Sequence, residues 1–416
     1  MTKKNKSPLL NNSSVLFVSF SRWEANKRLP TNGSIEPMRD FLVPKVKKLI
    51  IIDQLHPGSD GVMTKIEEYN NHSFKFKPHK NSWVVYLLKP ILEMSHYTGT
   101  QIRFKIRDFL SVIDWSFRDK TFFDYFIGLE SVNTLAGILL RKFGRVGIVV
   151  YYVSDYSPNR FSSKWFNWVY LVLDRFCAMH ADFIWDVSKA MQPARITAGL
   201  DPKKSVPAIH VPNGLLPEQI KANPLNKIQK YSLVYMGTLG SENGPDVAIK
   251  ALLIVKKEIP KVNLQIVGGT DKDYLWLKKI IDKNNLQDFV TFHGFIPSSV
   301  EMSKIISSCA VGLAPYRDIP GSIRRYADAG KIRAYCASGL PVISSQVPPL
   351  GLEVAEKGGA IIAHDDPKGF ADAIIKVFKD EKLYLKLRAN AIDFAKNSTW
   401  ESTFSNAFKK MHDPRK

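Results

Sequence analysis

The chain has 416 residues, of which 45% are hydrophobic and 11% aromatic, enough for two α/β cores and too many for a disordered protein. Its formal charge of +20 indicates an anionic partner, such as nucleic acid, lipid headgroups or a phosphorylated substrate. No apolar run approaches the ~20 residues that cross a bilayer, and the basic N-terminus lacks a signal-peptide pattern, so we expect a cytoplasmic protein. Three scattered cysteines in apolar surroundings are expected to be buried thiols: Cys177, Cys309 and Cys336.

The first half of the chain alternates apolar strand patterns with helical patterns. This alternation predicts a parallel, doubly wound sheet. The predicted strands are 15–20, 48–52, 125–129, 146–153 and 181–187, and the predicted helices are 135–142 and 166–180.

A polar segment at 221–230, preceded by Pro212, Asn213 and Gly214, predicts a linker between two domains. The second half then repeats the α/β pattern. Its predicted strands are 231–236, 263–267, 290–293, 310–314 and 360–363, and its predicted helices are 245–258, 274–283, 300–307 and 367–378. We therefore predict a first domain over 1–214, a second over 215–395, and a final helix within 396–416.

The segment 311–345 is the most informative part of the chain. An apolar strand is followed by a polar loop, then a helix beginning near Lys331, and then Gly339 and Pro341, which end that helix. A loop between a strand's carboxyl end and a helix N-terminus is where α/β proteins bind phosphate. The alternative is an ordinary βαβ unit with a solvated basic loop.

Residues 329–343, AGKIRAYCASGLPVI, resemble the donor-binding signature of GT-B glycosyltransferases, in particular glycosyltransferase family 4, or group 1. The matching residues are Lys331, Tyr335, Ala337, Gly339, Pro341, Val342 and Ile343. Further matches in family order lie at 211–214, 235–239, 292–296 and 398–401. Ala334 stands where retaining members carry a glutamate, which leaves open whether the reaction retains or inverts stereochemistry.

The resemblance implies two Rossmann-like doubly wound parallel-sheet domains with a cleft between them. The first domain would bind the acceptor, the second would bind a nucleotide sugar, and the last helix would pack back on the first domain. Such enzymes generally stabilise the leaving diphosphate without a metal or other cofactor, through basic side chains and a helix N-terminus.

Carried onto this sequence, the resemblance makes Lys331 the first candidate for a donor phosphate contact, with Ser322, Arg324 and Arg325 as further candidates from the loop. Tyr335, which matches the motif, is assigned to the donor-binding site. Gly237 and Thr238 would approach the phosphates through the backbone. Tyr316, which precedes Lys331 in an Ala-Pro-Tyr run, is similar to a residue of xanthan-type membrane-associated glucuronosyltransferases and would contact a phosphate. Phe295 and Ile296 would lie beside the nucleobase, although as apolar residues after a strand they also suit a core.

On the acceptor side, Asp155 follows the 146–153 strand and is our candidate base for an acceptor hydroxyl. An Asp before Ser-Pro is also a common turn residue. Weaker candidates for lining the acceptor cleft are Glu24, Asp186 and Ser188. Asp271 and Asp273 have a metal-like Asp-x-Asp spacing, but their place at a helix start favours capping, and we expect no metal site.

Basic and large apolar residues alternate at 75–80, 83–89 and 103–110, as in segments that bind anionic membrane surfaces. Placed on a helix, the last segment mixes apolar and cationic side chains at Phe104, Arg107, Phe109 and Leu110. A solvated basic face is the alternative. No nucleic-acid-binding motif is present, so we expect no nucleic acid partner.

The leading hypothesis is a hexosyltransferase that moves a sugar from a UDP- or GDP-sugar to a lipid-linked or polysaccharide acceptor. It would work in the cytoplasm, peripherally associated with the inner face of the membrane. A sugar-nucleotide epimerase of the same fold and a basic nucleic-acid-binding protein are the alternatives.

Overall fold

A computed structural model describes residues 10–25, 27–29, 33–56, 58–61, 63–78, 83–93 and 100–413. The chain divides into two compact units, one formed by the residues up to 212 together with those from 404 onward, and the other by 213–403. The division at 212/213 lies two residues before the predicted boundary at 214/215.

The first unit is built on one twisted sheet flanked by helices. Within its described residues the sheet has eight strands in the order β10-β9-β8-β7-β1-β4-β5-β6. The strands of this unit are β1 (Ser14–Ser21), β2 (Trp23–Glu24), β3 (Lys27–Arg28), β4 (Lys48–Leu55), β5 (Lys65–Asn70), β6 (Phe76–Pro78), β7 (Phe123–Leu129), β8 (Val146–Val153), β9 (Phe183–Asp186) and β10 (Ala208–His210). Its helices are α1 (Ile35–Leu42), α2 (Trp83–Glu93), α3 (Thr100–Arg118), α4 (Glu130–Lys142), α5 (Lys164–His180) and α6 (Met191–Thr197).

The sheet is parallel over its central strands and antiparallel at one edge. β1 lies between β4 and β7, parallel to both, and its near-continuous apolar run is buried on both faces, as expected for a central parallel strand. β5 and β6 are antiparallel to their neighbours. The predicted parallel sheet is confirmed over the central strands. The antiparallel edge is an addition to it, because β5 follows β4 through a connection too short for a crossover helix.

The second unit repeats the architecture with a parallel sheet. Its described strands lie in the order β13-β12-β11-β14-β15-β16. They are β11 (Ser232–Met236), β12 (Asn263–Val267), β13 (Val290–Gly294), β14 (Val311–Ala314), β15 (Val342–Ser344) and β16 (Ala360–Ile362). The helices are α7 (Pro245–Glu258), α8 (Asp271–Lys283), α9 (Ser299–Ser308), α10 (Gly330–Ala337), α11 (Pro349–Glu356), α12 (Pro367–Lys379) and α13 (Glu381–Asn397).

The Asp-x-Asp spacing at 271–273 belongs to a helix start. Thr270 caps α8 by accepting a hydrogen bond from the Asp273 amide, and the Asp273 carboxylate accepts one from the Thr270 amide. This reciprocal capping box satisfies two amides that the helix itself leaves unpaired, as the sequence predicts. The three cysteines are free and buried, which is also as predicted.

The last helix, α14 (Trp400–Met411), has its C-terminal part in the first unit. The Phe408 ring lies against Phe41, Tyr125 and Trp185 at centroid distances of 5.9, 5.8 and 5.2 Å. Because these rings are buried, the chain end completes the core of the first unit.

We expect Phe408→Ala to lower the free energy of unfolding of the first unit by about 3–5 kcal/mol, since it removes a buried aromatic ring. Urea unfolding followed by circular dichroism measures the change. The neighbouring Lys409 is exposed, and Lys409→Ala should stay within ~0.5 kcal/mol of the parent. Equal stability of the two variants would contradict the packing described here.

Candidate active site

Lys331 lies in the first turn of α10 and is buried, with 7% of its surface exposed. Its Nζ lies 4.1 Å from the centre of the Tyr235 ring and 4.4 Å from that of Tyr316. Within the described residues, this ammonium has no hydrogen-bond partner. Burial, and then the positive charge of Arg324, lower its pKa well below the ordinary lysine value. A buried cation held by aromatic faces and lacking a carboxylate is a site that favours an anion.

The backbone beside this lysine is shaped by a glycine. Gly237 follows β11 with φ at +126°, a conformation that L side chains rarely adopt. A Cβ built there would lie 3.3 Å from Lys331 Cε, so glycine also keeps the space in front of the lysine open. The next residue, Thr238, accepts hydrogen bonds through its carbonyl from the Tyr235 hydroxyl and through its Oγ1 from Asn243. Its side chain therefore orders the loop.

The basic loop before α10 is tied to one carboxylate. Ser322 Oγ donates to Glu242 Oε2 at 3.2 Å, and Arg324 Nε donates to Glu242 Oε1 at 3.3 Å. Arg325 instead pairs with Asp318 at 2.6 Å, where both side chains are substantially exposed. The charge of Arg324 acts on Lys331, and Glu242 holds Arg324 and Ser322 together, whereas Arg325 is engaged with Asp318.

Tyr335 is placed differently from the sequence expectation. Its hydroxyl donates to the Leu313 carbonyl at 3.1 Å and accepts from the Met236 amide at 2.8 Å, and the residue is fully buried. Its ring occupies the space that a side chain at Gly312 would fill. Tyr335 therefore joins α10 to two strands of the sheet, and we correct its expected role from donor ligand to support for Lys331.

The two residues expected beside a nucleobase differ in exposure. Phe295, after β13, is 73% exposed, a large apolar side chain open to a stacking partner. Ile296 is partly buried against the core cluster that contains Tyr316 and Ile332. The structure therefore leaves Phe295 available to a ligand and places Ile296 partly in the core.

In the first unit, Asp155 lies beyond β8 with its side chain 45% exposed, and Oδ2 lies 3.6 Å from Arg160 Nη2. The same guanidinium is 3.6 Å from Glu130 Oε2. Glu130 Oε1 accepts hydrogen bonds from the amide and hydroxyl of Ser154. Two carboxylates thus share one arginine at the carboxyl ends of β7 and β8.

Sequence reasoning missed Glu130, whose environment is the most unusual among these carboxylates. It is the first residue of α4, buried, and has φ at +66°, which strains a residue with a side chain. Burial is the main cause that raises its pKa, against the opposing effect of Arg160. The sequence does offer one signal: Glu130 directly follows the strand that ends at Leu129, and ligand-facing groups of doubly wound sheets follow the carboxyl ends of strands.

The other acceptor-side candidates have structural partners. Asp186 is buried and pairs with Arg195 at 2.7 Å, and Arg195 also contacts the buried Asp174. Ser188 is buried, and its Oγ accepts from the Ala190 amide. Glu24 pairs with Arg22 at 2.6 Å on an exposed hairpin. Of the residues expected here, Asp155 and Glu24 remain open to a ligand, whereas Asp186 and Ser188 serve the core.

Two features are absent from the described part of the chain. No group of three or more His, Cys, Asp or Glu side chains is arranged to hold a metal ion there. Nor does any described helix combine the length and the hydrophobicity needed to span a bilayer.

Comparison with solved structures identifies the fold. The chain superposes on HepE of Anabaena, solved in complex with UDP, with a TM-score of 0.65, 17% identity and coverage of 95% of this chain and 100% of that one. Sucrose-phosphate synthase of Thermosynechococcus elongatus gives a TM-score of 0.67, 14% identity and coverage of 96% and 99%. The fold is GT-B, which confirms the prediction.

Sequence comparison adds the family of the second unit. Residues 217–394 match the model of the glycosyl transferases group 1 family. The chain is 28% identical over 182 residues to a D-inositol 3-phosphate glycosyltransferase of Stackebrandtia nassauensis, a match that covers 41% of this chain and 39% of that protein. A protein of the same name from Corynebacterium glutamicum is 22% identical over 177 residues, with coverage of 41% and 40%. The chain spans about two fifths of the length of these curated relatives. Residues 217–394 are therefore similar to the group 1 glycosyltransferases, which confirms the resemblance in this segment.

We expect binding of a diphosphate anion to be coupled to proton uptake by Lys331. An anion raises the pKa of Lys331 in the complex above the lowered pKa of the free protein. Between these two pKa values binding takes up a proton, so affinity falls as pH rises. Titration calorimetry in buffers of different ionisation enthalpy measures the uptake. Because the phosphate also titrates, Lys331→Arg, which stays charged, is the control. Equal proton uptake by the two proteins would rule out Lys331 as the group that takes up the proton.

Proposed function

We propose that the protein transfers a hexose from a nucleoside-diphosphate sugar to a lipid-linked or polysaccharide acceptor at a membrane surface, without a metal cofactor. The observation that carries the proposal is the buried, unpartnered Lys331 ammonium at the N-terminus of α10, within the segment that is similar to the group 1 glycosyltransferases. A helix N-terminus and a desolvated cation together suit a diphosphate.

UDP is the nucleotide that we favour. Support comes from HepE, whose structures were solved with UDP, with UDP and glucose, and with UDP-glucose. In this chain, the exposed Phe295 ring supplies a surface on which a base can stack. Lys331 and Arg324 would stabilise the negative charge that develops on the leaving diphosphate, the task that a divalent cation performs in metal-dependent transferases.

A membrane-surface location is supported by the first unit. α2 exposes Trp83, Tyr86 and Leu87, three large apolar side chains on one helix. α3 exposes Ile102 and Ile106 beside the half-exposed Lys105. Clusters of exposed apolar groups rimmed by basic ones are typical of interfacial contacts.

The exposed face of α3 differs from the sequence expectation. Phe104 and Arg107 are buried, and Arg107 Nη2 donates to the Leu55 carbonyl at 2.7 Å. Arg107 therefore holds α3 to β4, and Phe104 packs against Met63 and Leu88. The exposed apolar side chains of α3 that would contact a membrane are Ile102, Ile106 and Leu110, which lie about one turn apart.

Lys331→Ala should weaken UDP binding by more than tenfold, because a charged hydrogen bond contributes about 1.5–3 kcal/mol. Titration calorimetry measures the affinity, and Lys304→Ala, a lysine on α9 of the same unit, is the control. The same protein should transfer sugar from a UDP-sugar to a polyprenyl-diphosphate-linked acceptor. Unchanged UDP affinity in Lys331→Ala would contradict the donor site, and interconversion of the sugar without transfer would favour an epimerase.

Asp155→Asn and Glu130→Gln separate the two candidate bases. We expect the variant that removes the base to lose about 10²–10⁴-fold in turnover with UDP affinity intact. If Glu130 is the base, wild-type activity falls as pH drops through its raised pKa, because the carboxyl must be ionised to accept a proton. Normal turnover in both variants would exclude this pair of carboxylates from acceptor activation.

A further inference from the structure

The first unit contains a largely apolar cavity of about 530 Å³ between α3, α4 and α5. This volume lies within the ~300–1,000 Å³ range of ligand pockets. Its walls include Ile106 and Leu110 from α3, Leu135 from α4, and Val169 and Leu173 from α5. The mouth carries apolar side chains that are themselves exposed, including Ile106 at 50% and Trp165 at 64%.

Charged groups lie at defined places around this apolar space. Lys105, 45% exposed at its side chain, lines the cavity from α3, and its Nζ is 3.8 Å from Asp108 Oδ2. Arg160 and Glu130 line another part and are paired with each other. Asp108 is itself bound to the buried Arg107 at 2.6 Å, so Lys105 is the cation at the cavity that is most available to a ligand.

We propose that this cavity binds the hydrocarbon chain of a phosphorylated lipid, with Lys105 close to the phosphate and the Glu130–Arg160 pair at the polar end of the site. The inference deepens the proposed function, on which it rests, by giving the acceptor's lipid chain a location. A phosphorylated lipid fits because the wall is apolar, the available cation is at the rim, and the exposed rim residues favour a membrane interface.

Helix α5 offers matched pairs of residues, one inside and one outside the cavity. Val169 lines the cavity, whereas Val172 is 37% exposed on α5 and does not line it. Val169→Trp would fill the cavity, and Val172→Trp would add the same ring outside it. Trp165 and Trp168 form a second pair, since both are exposed and Trp165 alone of the two lines the cavity.

The experiment titrates hexyl, octyl, decyl and dodecyl phosphate, each below its micelle concentration, against the full chain by calorimetry. Inorganic phosphate is the reference for headgroup binding. We expect affinity to rise with chain length, by up to about fourfold for each buried methylene. Val169→Trp should weaken dodecyl phosphate binding by more than tenfold, and Val172→Trp should leave it within about twofold. Affinity that does not depend on chain length, or equal effects of the two variants, would overturn the proposal.

A second measurement applies if Val169→Trp does not fold, as judged by circular dichroism. Dodecyl phosphate brominated on its chain should quench tryptophan fluorescence less in Trp165→Phe than in Trp168→Phe. Equal quenching in the two variants refutes a chain in the cavity. Titration of the same proteins with UDP distinguishes the two proposals. If UDP binds but lipid affinity does not depend on chain length, only the lipid site is refuted. If the wild-type protein does not bind UDP, the donor site is refuted.

Discussion

A lysine ammonium buried between two tyrosine rings is the constraint on which the second unit depends. Desolvating a cation without a carboxylate is unfavourable, and the fold holds Lys331 there all the same. Cation–π contacts with Tyr235 and Tyr316 recover part of the cost, each on the order of 0.5–2 kcal/mol. A bound anion would offset the rest of this desolvation free energy, so the site is organised before the ligand binds.

The surrounding residues keep that lysine in place. Tyr335 fixes α10 to the backbone of two strands, and its ring fits because residue 312 has no side chain. Glu242 holds the basic loop through Ser322 and Arg324. The first unit instead buries a group that can carry a negative charge, the Glu130 carboxylate, which pairs with Arg160. In the proposed reaction, one unit would stabilise a developing negative charge and the other would accept a proton.

Much of the second unit was predictable, because its strands are short apolar runs between clear turn signals. The helix at 245–258 and the strand at 263–267 have the predicted bounds. Lys331 was chosen as a candidate through its place after a strand and loop and through family resemblance, and the structure places it, buried, in the first turn of α10. The antiparallel edge was missed because Ile66 and Tyr69 do not alternate regularly in β5. Glu130 was missed because burial and a left-handed backbone conformation are properties of the folded chain. The same limit applies to Tyr335, whose match to a family motif gave no sign that its hydroxyl bonds the sheet.

The backbone at Glu130 also bears on how this chain tolerates change. A glutamate at φ +66° costs on the order of 1 kcal/mol or more relative to a relaxed conformation, and a glycine would remove that strain. Selection for stability alone would therefore favour glycine or asparagine at this position. A stabilised version of the protein selected by thermal screening alone could therefore lose this carboxylate while every measure of folding improves.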